Sequence, residues 1–205
     1  MTPVGRIEGP AIPLPLDNVD TDQLIPARFM SRRRRDGYGD QLLHDLRFDA
    51  DGAPRPEVAL NRIAARPAVL VAGANFGCGS SREAAVYALL DGGIRAVVAR
   101  GFADIFATNA GRNGLLLVRL GERDHAAMLA AAEAEPGLPV AVDLAAQTVR
   151  AAGLGAVRFE IDARVKRRLL LGLDELDETL AHEAAIARFE RAHAEAWPWS
   201  VPPGA

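Results

Sequence analysis

The chain has 205 residues, enough to bury one substantial core, and its 49% hydrophobic and 25% charged residues are the mix of a globular protein. Its formal net charge of −3 gives no field favouring nucleic acid or an anionic membrane, and no apolar run approaches the roughly 20 residues of a membrane span. Cys78 is the single cysteine, so an internal disulfide is excluded, as is a cysteine-ligated zinc or iron–sulfur centre built by this chain alone. Residues 1–8 lack the basic-then-apolar layout of a secretory signal, which makes the cytoplasm the expected compartment. Lys166 is the only lysine; arginine abundance follows overall composition, and only arginines beside anion-binding backbone count as site candidates.

Residues 4–16 read as extended chain broken by Pro10, Pro13 and Pro15, hence edge strands and turns. Residues 17–22 form a polar, acidic loop, after which Pro26 opens a short helix through Phe29 and Met30. The stretch 31–39, carrying Arg32, Arg33, Arg34 and Arg35, is expected to be mobile, and 49–56 is a turn-rich connection. From Ala68 the pattern becomes regular. A strand at 68–72 leads to a helix at 81–91, with Val86, Leu89 and Leu90 at helical spacing and Gly92-Gly93 as its stop. A strand at 94–99, a short helix at 103–110 and a strand at 115–119 follow. This alternation predicts a parallel βαβαβ core. Beyond it come a helix at 122–135, a strand pair at 140–144 and 148–150, a half-buried strand at 157–161, and helices at 163–171 and 176–196. The expected class is α/β, a parallel core with additional β-strands. One domain spans 1–205 and ends in a helical extension over about 163–200.

The run Asn75-Phe76-Gly77-Cys78-Gly79-Ser80-Ser81-Arg82-Glu83 lies where the first regular strand hands over to its helix. A helix start presents free N–H groups and positive dipole. With the Gly77 and Gly79 backbone, two hydroxyls and a guanidinium beside it, this is chemistry for holding a carboxylate. Ser80 and Glu83 also have the spacing of a capping box, so a plain turn and cap is the bland alternative. A dinucleotide site fits poorly, because Arg82 replaces the third glycine of that fingerprint and Arg100, not an acid, ends the second strand. A nucleophilic Cys78 would need a histidine base, and His44, His125, His182 and His193 all lie outside the strand–helix loops. The third reading is carboxylate binding with proton transfer, a serine alkoxide being stabilised by N–H groups, dipole and Arg82. Taking a proton α to a carboxylate also calls for an electrophile such as a metal. This chain shows no ligand set for one, so it must arrive on another polypeptide.

Four motifs then stand in order: Asp17-Asn18-Val19-Asp20-Thr21-Asp22-Gln23-Leu24-Ile25-Pro26, the serine run above, Phe102-Ala103-Asp104-Ile105-Phe106 and Asn113-Gly114-Leu115-Leu116. Together with the stretch from Leu171 to Glu183, they resemble the small subunits of 3-isopropylmalate dehydratase, which correspond to the swivelling domain of aconitase. The resemblance implies a swivelling β/β/α fold and a heterodimer with a large subunit that carries a 4Fe–4S cluster, with no cofactor or metal on this chain. It implies a hydro-lyase that isomerises 2-isopropylmalate to 3-isopropylmalate by dehydration and rehydration in leucine biosynthesis. Ser80 maps onto the family's general base, and Ser81 and Arg82 onto substrate contacts. Thr21 and Asp22 would line the same cleft, although Asx turns satisfying local backbone are the bland reading there.

The family usually places histidine after the motif's glutamate, where this chain has Ala84. In the substrate-side-chain loop, Arg35 and Gly37-Tyr38-Gly39 match the family pattern, making Arg35 a further substrate-contact candidate, while Arg32–Arg34 do not match. That run reads either as a solvated face or as a lid over a dicarboxylate. The proline usual near the third strand's end is also absent (Leu117-Val118). These departures keep two alternatives open: a paralogue for another 2-hydroxy dicarboxylate, such as a methylated malate or homoaconitate, and a non-catalytic binding partner.

Overall fold

The computed structural model describes residues 1–31 and 33–200. The chain divides into two compact units, Met1–Gly172 and Leu173–Ala205. In chain order the first unit contains β1 (Arg6–Leu14), α1 (Thr21–Leu24), α2 (His44–Arg47), α3 (Ala59–Arg62), β2 (Val69–Ala72), α4 (Glu83–Asp91), β3 (Ala96–Ala99), α5 (Asp104–Asn113) and β4 (Leu116–Arg119). It continues with α6 (Glu122–Ala134), β5 (Pro139–Asp143), β6 (Thr148–Ala151), β7 (Leu154–Arg158) and α7 (Ala163–Leu171). The second unit holds α8 (Glu175–Leu180) and α9 (Glu183–Ala196), which break the single helix expected over 176–196 at His182 (φ −107°, ψ 9°). α8 opens on a capping box between Asp174 and Asp177.

The seven strands form one sheet in the order β4-β3-β2-β1-β5-β6-β7, parallel from β1 through β4 and antiparallel from β1 through β7 on the other side. An isolated bridge between Arg119 and Glu160 brings the end of β4 to the chain just past β7, so the sheet curls. β2 and β3 are buried on both faces, which is why they read as continuous apolar runs, while β4 buries Leu116 and Val118 on one face. Leu70, Ala72, Val97 and Ala99 face a core shared with α4 and α5, while Val69, Val71, Ala96 and Val98 face one shared with α6 and the antiparallel strands. The parallel βαβαβ core is as expected, and so is α7.

β1 differs from expectation: it is the central strand, not an edge. Its residues 6–10 pair with β5 and 11–14 with β2. The prolines fit because the ladder changes sides. Pro10 faces β2, where its carbonyl accepts from Ala68 N–H ahead of the first registered pair, so no β2 acceptor lacks a donor there. Ala11 faces the other way, bonding Leu138 and Gly137, and alternation turns the nitrogen of Pro13 to that side beyond the end of β5. The strand expected at 157–161 lies instead at Leu154–Arg158, since the two-residue turn after Ala151 starts it early. Phe159 then leaves the ladder, its N–H donating to Gln147 O.

Phe76 forms the floor beneath the serine run. It is fully buried, meeting Phe106 edge-on at 5.4 Å and Phe102 at 6.4 Å between ring centroids. Its backbone joins the loop after β3, its N–H donating to Gly101 O and its carbonyl accepting from Ala103 N–H. Phe76→Ala should therefore cost roughly 3–5 kcal/mol in chemical denaturation. A loss below about 1 kcal/mol would mean that this aromatic floor is not what carries the loop.

Candidate active site

The segment after β1 and the loop after β2 run side by side and are stitched along their length. Asn18 N–H donates to Ala74 O (2.8 Å), Gly77 N–H to Val19 O (2.7 Å) and Thr21 N–H to Cys78 O (3.0 Å). Asn75 Nδ2 reaches Asn18 Oδ1 at 2.9 Å, and the Cys78 thiol donates to Asn18 O at 3.3 Å. Gly77 is required here. Its φ is +77°, and a Cβ would fall inside the Phe106 ring.

The capping box expected between Ser80 and Glu83 does not form. Arg82 is the N-cap of α4, without a side-chain cap bond, and Glu83 accepts instead from Asn113 Nδ2 at 2.6 Å. The reason is tertiary: Ser80 O takes the Thr21 hydroxyl (2.9 Å) and the Arg82 N–H (2.8 Å), which turns the chain before the helix can start. A capping box stands instead on the facing segment. There Asp20 Oδ1 accepts from Gln23 N–H (2.7 Å), Gln23 Oε1 accepts from Asp20 N–H (2.9 Å), and the acidic loop becomes α1.

Ser80 and Ser81 are exposed, and neither hydroxyl has a hydrogen-bond partner among the described residues. Because α4 lacks a side-chain cap, the Glu83 and Ala84 N–H groups at its start stay available, while the Ala85 N–H donates to Arg82 O. The Arg82 side chain is 20% exposed and its Nη1 is ion-paired with Asp22 Oδ1, the Asp22 side chain being 52% exposed. Thr21, expected as a substrate contact, is 1% exposed and has its hydroxyl committed to Ser80 O, so it acts from beneath the loop. Thr21, Asp22, Gly77, Gly79, Ser80, Ser81 and Arg82 are thus brought together.

Arg35 is not. It sits in a 3₁₀ turn, Arg34–Asp36, against the far end of α4, a helix about 13 Å long. There Arg34 binds Asp91 (3.0 Å) and stacks on Tyr87 (4.0 Å to the centroid), and Tyr38 is buried, so the stretch expected to be mobile is pinned. Arg35 lines a cleft of about 620 Å³ with Arg66, Asp91 and Arg95. Arg32, part of the run read as a lid, lies outside the described residues. A larger cleft of about 1430 Å³ lies between α5, β4 and residues 158–165, with Arg100 and Phe102 on its wall. Neither cleft is lined by the serine loop, which is an open, one-sided surface.

Two residues that sequence reasoning missed stand at the root of this surface. Asp17 Oδ1 accepts from Ala74 N–H at 2.6 Å, and Arg100 Nη2 reaches both Asp17 oxygens at 2.8 Å. The Ala74 N–H, and next the Arg100 guanidinium, hold the Asp17 carboxyl below its ordinary value of 3.8. Among the described residues no group of three or more His, Cys, Asp or Glu side chains is placed to hold a metal ion.

A model of the aconitase C-terminal domain matches residues 1–128, and a second, LeuD_N, matches 126–163. A third, of the C-terminal domain found in the small subunit of 3-isopropylmalate dehydratase, matches 179–200. The 3-isopropylmalate dehydratase small subunit of Anaeromyxobacter sp. (strain K) is 50% identical over 191 residues, 93% of this chain and 98% of the relative. Small subunit 1 of Chromobacterium violaceum is 46% identical over 202 residues, 97% of this chain and 94% of the relative.

The chain belongs to the 3-isopropylmalate dehydratase small-subunit family.

Its fold agrees: the crystal structure of 3-isopropylmalate dehydratase from Methanocaldococcus jannaschii superposes with a TM-score of 0.65 at 27% identity, covering 89% of this chain and 98% of that one. The fold is the swivel fold of the aconitase C-terminal family. Ala84, standing where the family usually has histidine, is half-buried against the α4-side core and contributes packing only. No helix among the described residues is long and apolar enough to cross a membrane.

Thr21→Val removes the buried donor to Ser80 O and should cost about 1–3 kcal/mol in chemical denaturation. A neutral substitution would show that the hydroxyl does not hold the loop. Asp17 carries a sign for pH. Because its folded pKa is depressed, its contribution to stability is complete above 3.8 and disappears as pH falls through the lower folded value. A carboxyl NMR titration should place its midpoint below 3.8, and a midpoint at or above that value would contradict the Ala74 and Arg100 contacts.

Proposed function

We propose that this chain supplies the proton-transfer and carboxylate-gripping half of an active site whose other half is provided by a large subunit. The reaction is isomerisation of 2-isopropylmalate to 3-isopropylmalate by dehydration and rehydration, in the cytoplasm, for leucine biosynthesis. The observation that carries this reading is the open serine loop. It offers two exposed hydroxyls, without hydrogen-bond partners among the described residues, beside an oriented guanidinium.

In this reading Ser80 Oγ takes the proton α to the substrate carboxylate and returns it during rehydration. The Glu83 and Ala84 N–H groups, the helix dipole and Arg82 favour the serine anion during that transfer. Ser81 and Arg82 bind the carboxylate, the rigid fork of the arginine fixing its plane. Asp22 holds Nη1 and so presets the guanidinium with its other N–H groups free to bond the incoming carboxylate. Thr21 sets the height of Ser80 from below. Arg35, at the other end of α4, receives no substrate contact in this arrangement.

The lone cysteine turns its thiol to Asn18 O, and among the described residues no set of side chains fits an iron–sulfur cluster. In this reading a 4Fe–4S cluster belongs to the large subunit, and the working enzyme is a heterodimer.

The test uses the chain co-produced with its large subunit and assayed on 2-isopropylmalate, a methylated malate and homoaconitate. Ser80→Ala should lower kcat on the order of 10²–10⁴-fold. Full activity in that variant would leave the chain a binding scaffold. Arg82→Lys should cost about 2–4 kcal/mol in kcat/KM, since a point charge replaces a fork. An unchanged kcat/KM would remove the carboxylate role. Turnover of isopropylmalate no better than of the other acids would move the assignment to a paralogous hydro-lyase.

A further inference from the structure

We propose that Asp17 and Arg100 form a positioning clamp that sets where Ser80 stands; the proposal rests on the reading of Ser80 as the base. The clamp ties three neighbouring loops at the carboxyl ends of adjacent parallel strands. Asp17 follows β1, Ala74 follows β2 and Arg100 follows β3. One carboxylate joins all three, accepting from Ala74 N–H at 2.6 Å and from Arg100 Nη2 at 2.8 Å on each oxygen.

The backbone is shaped around this carboxylate. Gly73 N–H donates to Leu16 O at 3.0 Å, and a Cβ on Gly73 would collide with both Asp17 Oδ1 and Leu16 O. Only glycine leaves the notch that Asp17 occupies. The preceding carbonyl, Ala72 O, accepts from Nε2 of the buried His125 at 2.6 Å, so the root of the loop is held on both sides of Gly73.

From this root the stitched segments run without a gap to the serine. Gly77 bonds Val19, Thr21 bonds Cys78, and the Thr21 hydroxyl ends on Ser80 O. A shift at Ala74 is therefore passed along hydrogen-bonded backbone to the reacting hydroxyl. Stability alone does not account for the arrangement. The Asp17 and Arg100 side chains are 50% and 38% exposed, and a pair so exposed contributes little to folding. Its value lies in register, where an error of about 1 Å costs an enzyme on the order of 10²-fold in rate.

The experiment compares Arg100→Ala, Arg100→Lys and Asp17→Ala with the unaltered heterodimer on 2-isopropylmalate, each also in a Ser80→Ala background. Arg100→Ala and Asp17→Ala should lower kcat about tenfold or more while KM stays within about twofold. Melting should move by no more than about 2 °C, and Arg100→Lys should recover part of the rate. In the Ser80→Ala background the same substitutions should lower the residual rate less than about twofold, because they act through that serine. An unchanged kcat in Arg100→Ala, or losses that multiply fully with Ser80→Ala, would overturn the clamp. Full activity in Ser80→Ala alone would overturn the reading beneath it. An inactive Ser80→Ala beside fully active clamp variants would overturn the clamp and leave that reading standing.

Discussion

A flexible glycine turn becomes a defined surface here because it is hydrogen-bonded along its length to the segment after the central strand. Residues 16–21 and 73–78 exchange backbone bonds from Leu16–Gly73 to Thr21–Cys78, and the Thr21 side chain adds the last one at Ser80. Neither segment has enough regular structure to hold the other's shape alone. α1 is one turn long, and the serine loop contains two glycines with positive φ. Each bond contributes only about 1 kcal/mol, so the arrangement depends on all of them forming together over the buried Phe76.

The sheet makes that pairing possible. By changing partners halfway along its length, β1 delivers residues 15–22 to the carboxyl end of β2, the end at which α/β sheets bind ligands. Burial of β2 and β3 on both faces keeps the strand ends rigid, so loop position is inherited from the core. The chemistry follows from what is left over. The hydroxyls of Ser80 and Ser81 face outward without partners, and Asp22 neutralises and orients Arg82 without enclosing it. In the proposed reading such a surface grips one side of a small diacid and leaves the other side to the large subunit.

Much of this was legible in the residues. The apolar runs of β2, β3 and β4, with Gly92-Gly93 between two of them, are local signals, and they appear as read. The serine loop was legible for the same reason as a candidate anion site, although the same residues also fitted a plain turn and cap. What escaped depends on contacts remote in sequence. The Ser80–Glu83 capping spacing is overridden by Thr21, 59 residues away from Ser80. Three prolines argued for an edge where the strand is central, because a change of pairing side leaves no local mark. The stretch read as mobile is pinned by Arg34 to Asp91, 57 residues on. The Asp17–Arg100 pair had one available signal: an arginine ending a parallel strand where a cofactor-binding acid would otherwise stand.

The central claim is that Arg82 and Ser80, side by side on one loop, act together on one carbon–carboxylate unit of the substrate. It is tested most directly by a crystal structure of the assembled heterodimer with an unreactive 2-hydroxy dicarboxylate bound. The Arg82 guanidinium should lie within hydrogen-bond distance of a ligand carboxylate, and Ser80 Oγ beside the carbon that carries the transferable proton. A ligand carboxylate held elsewhere, with Arg82 still bonded to Asp22 alone, would contradict it.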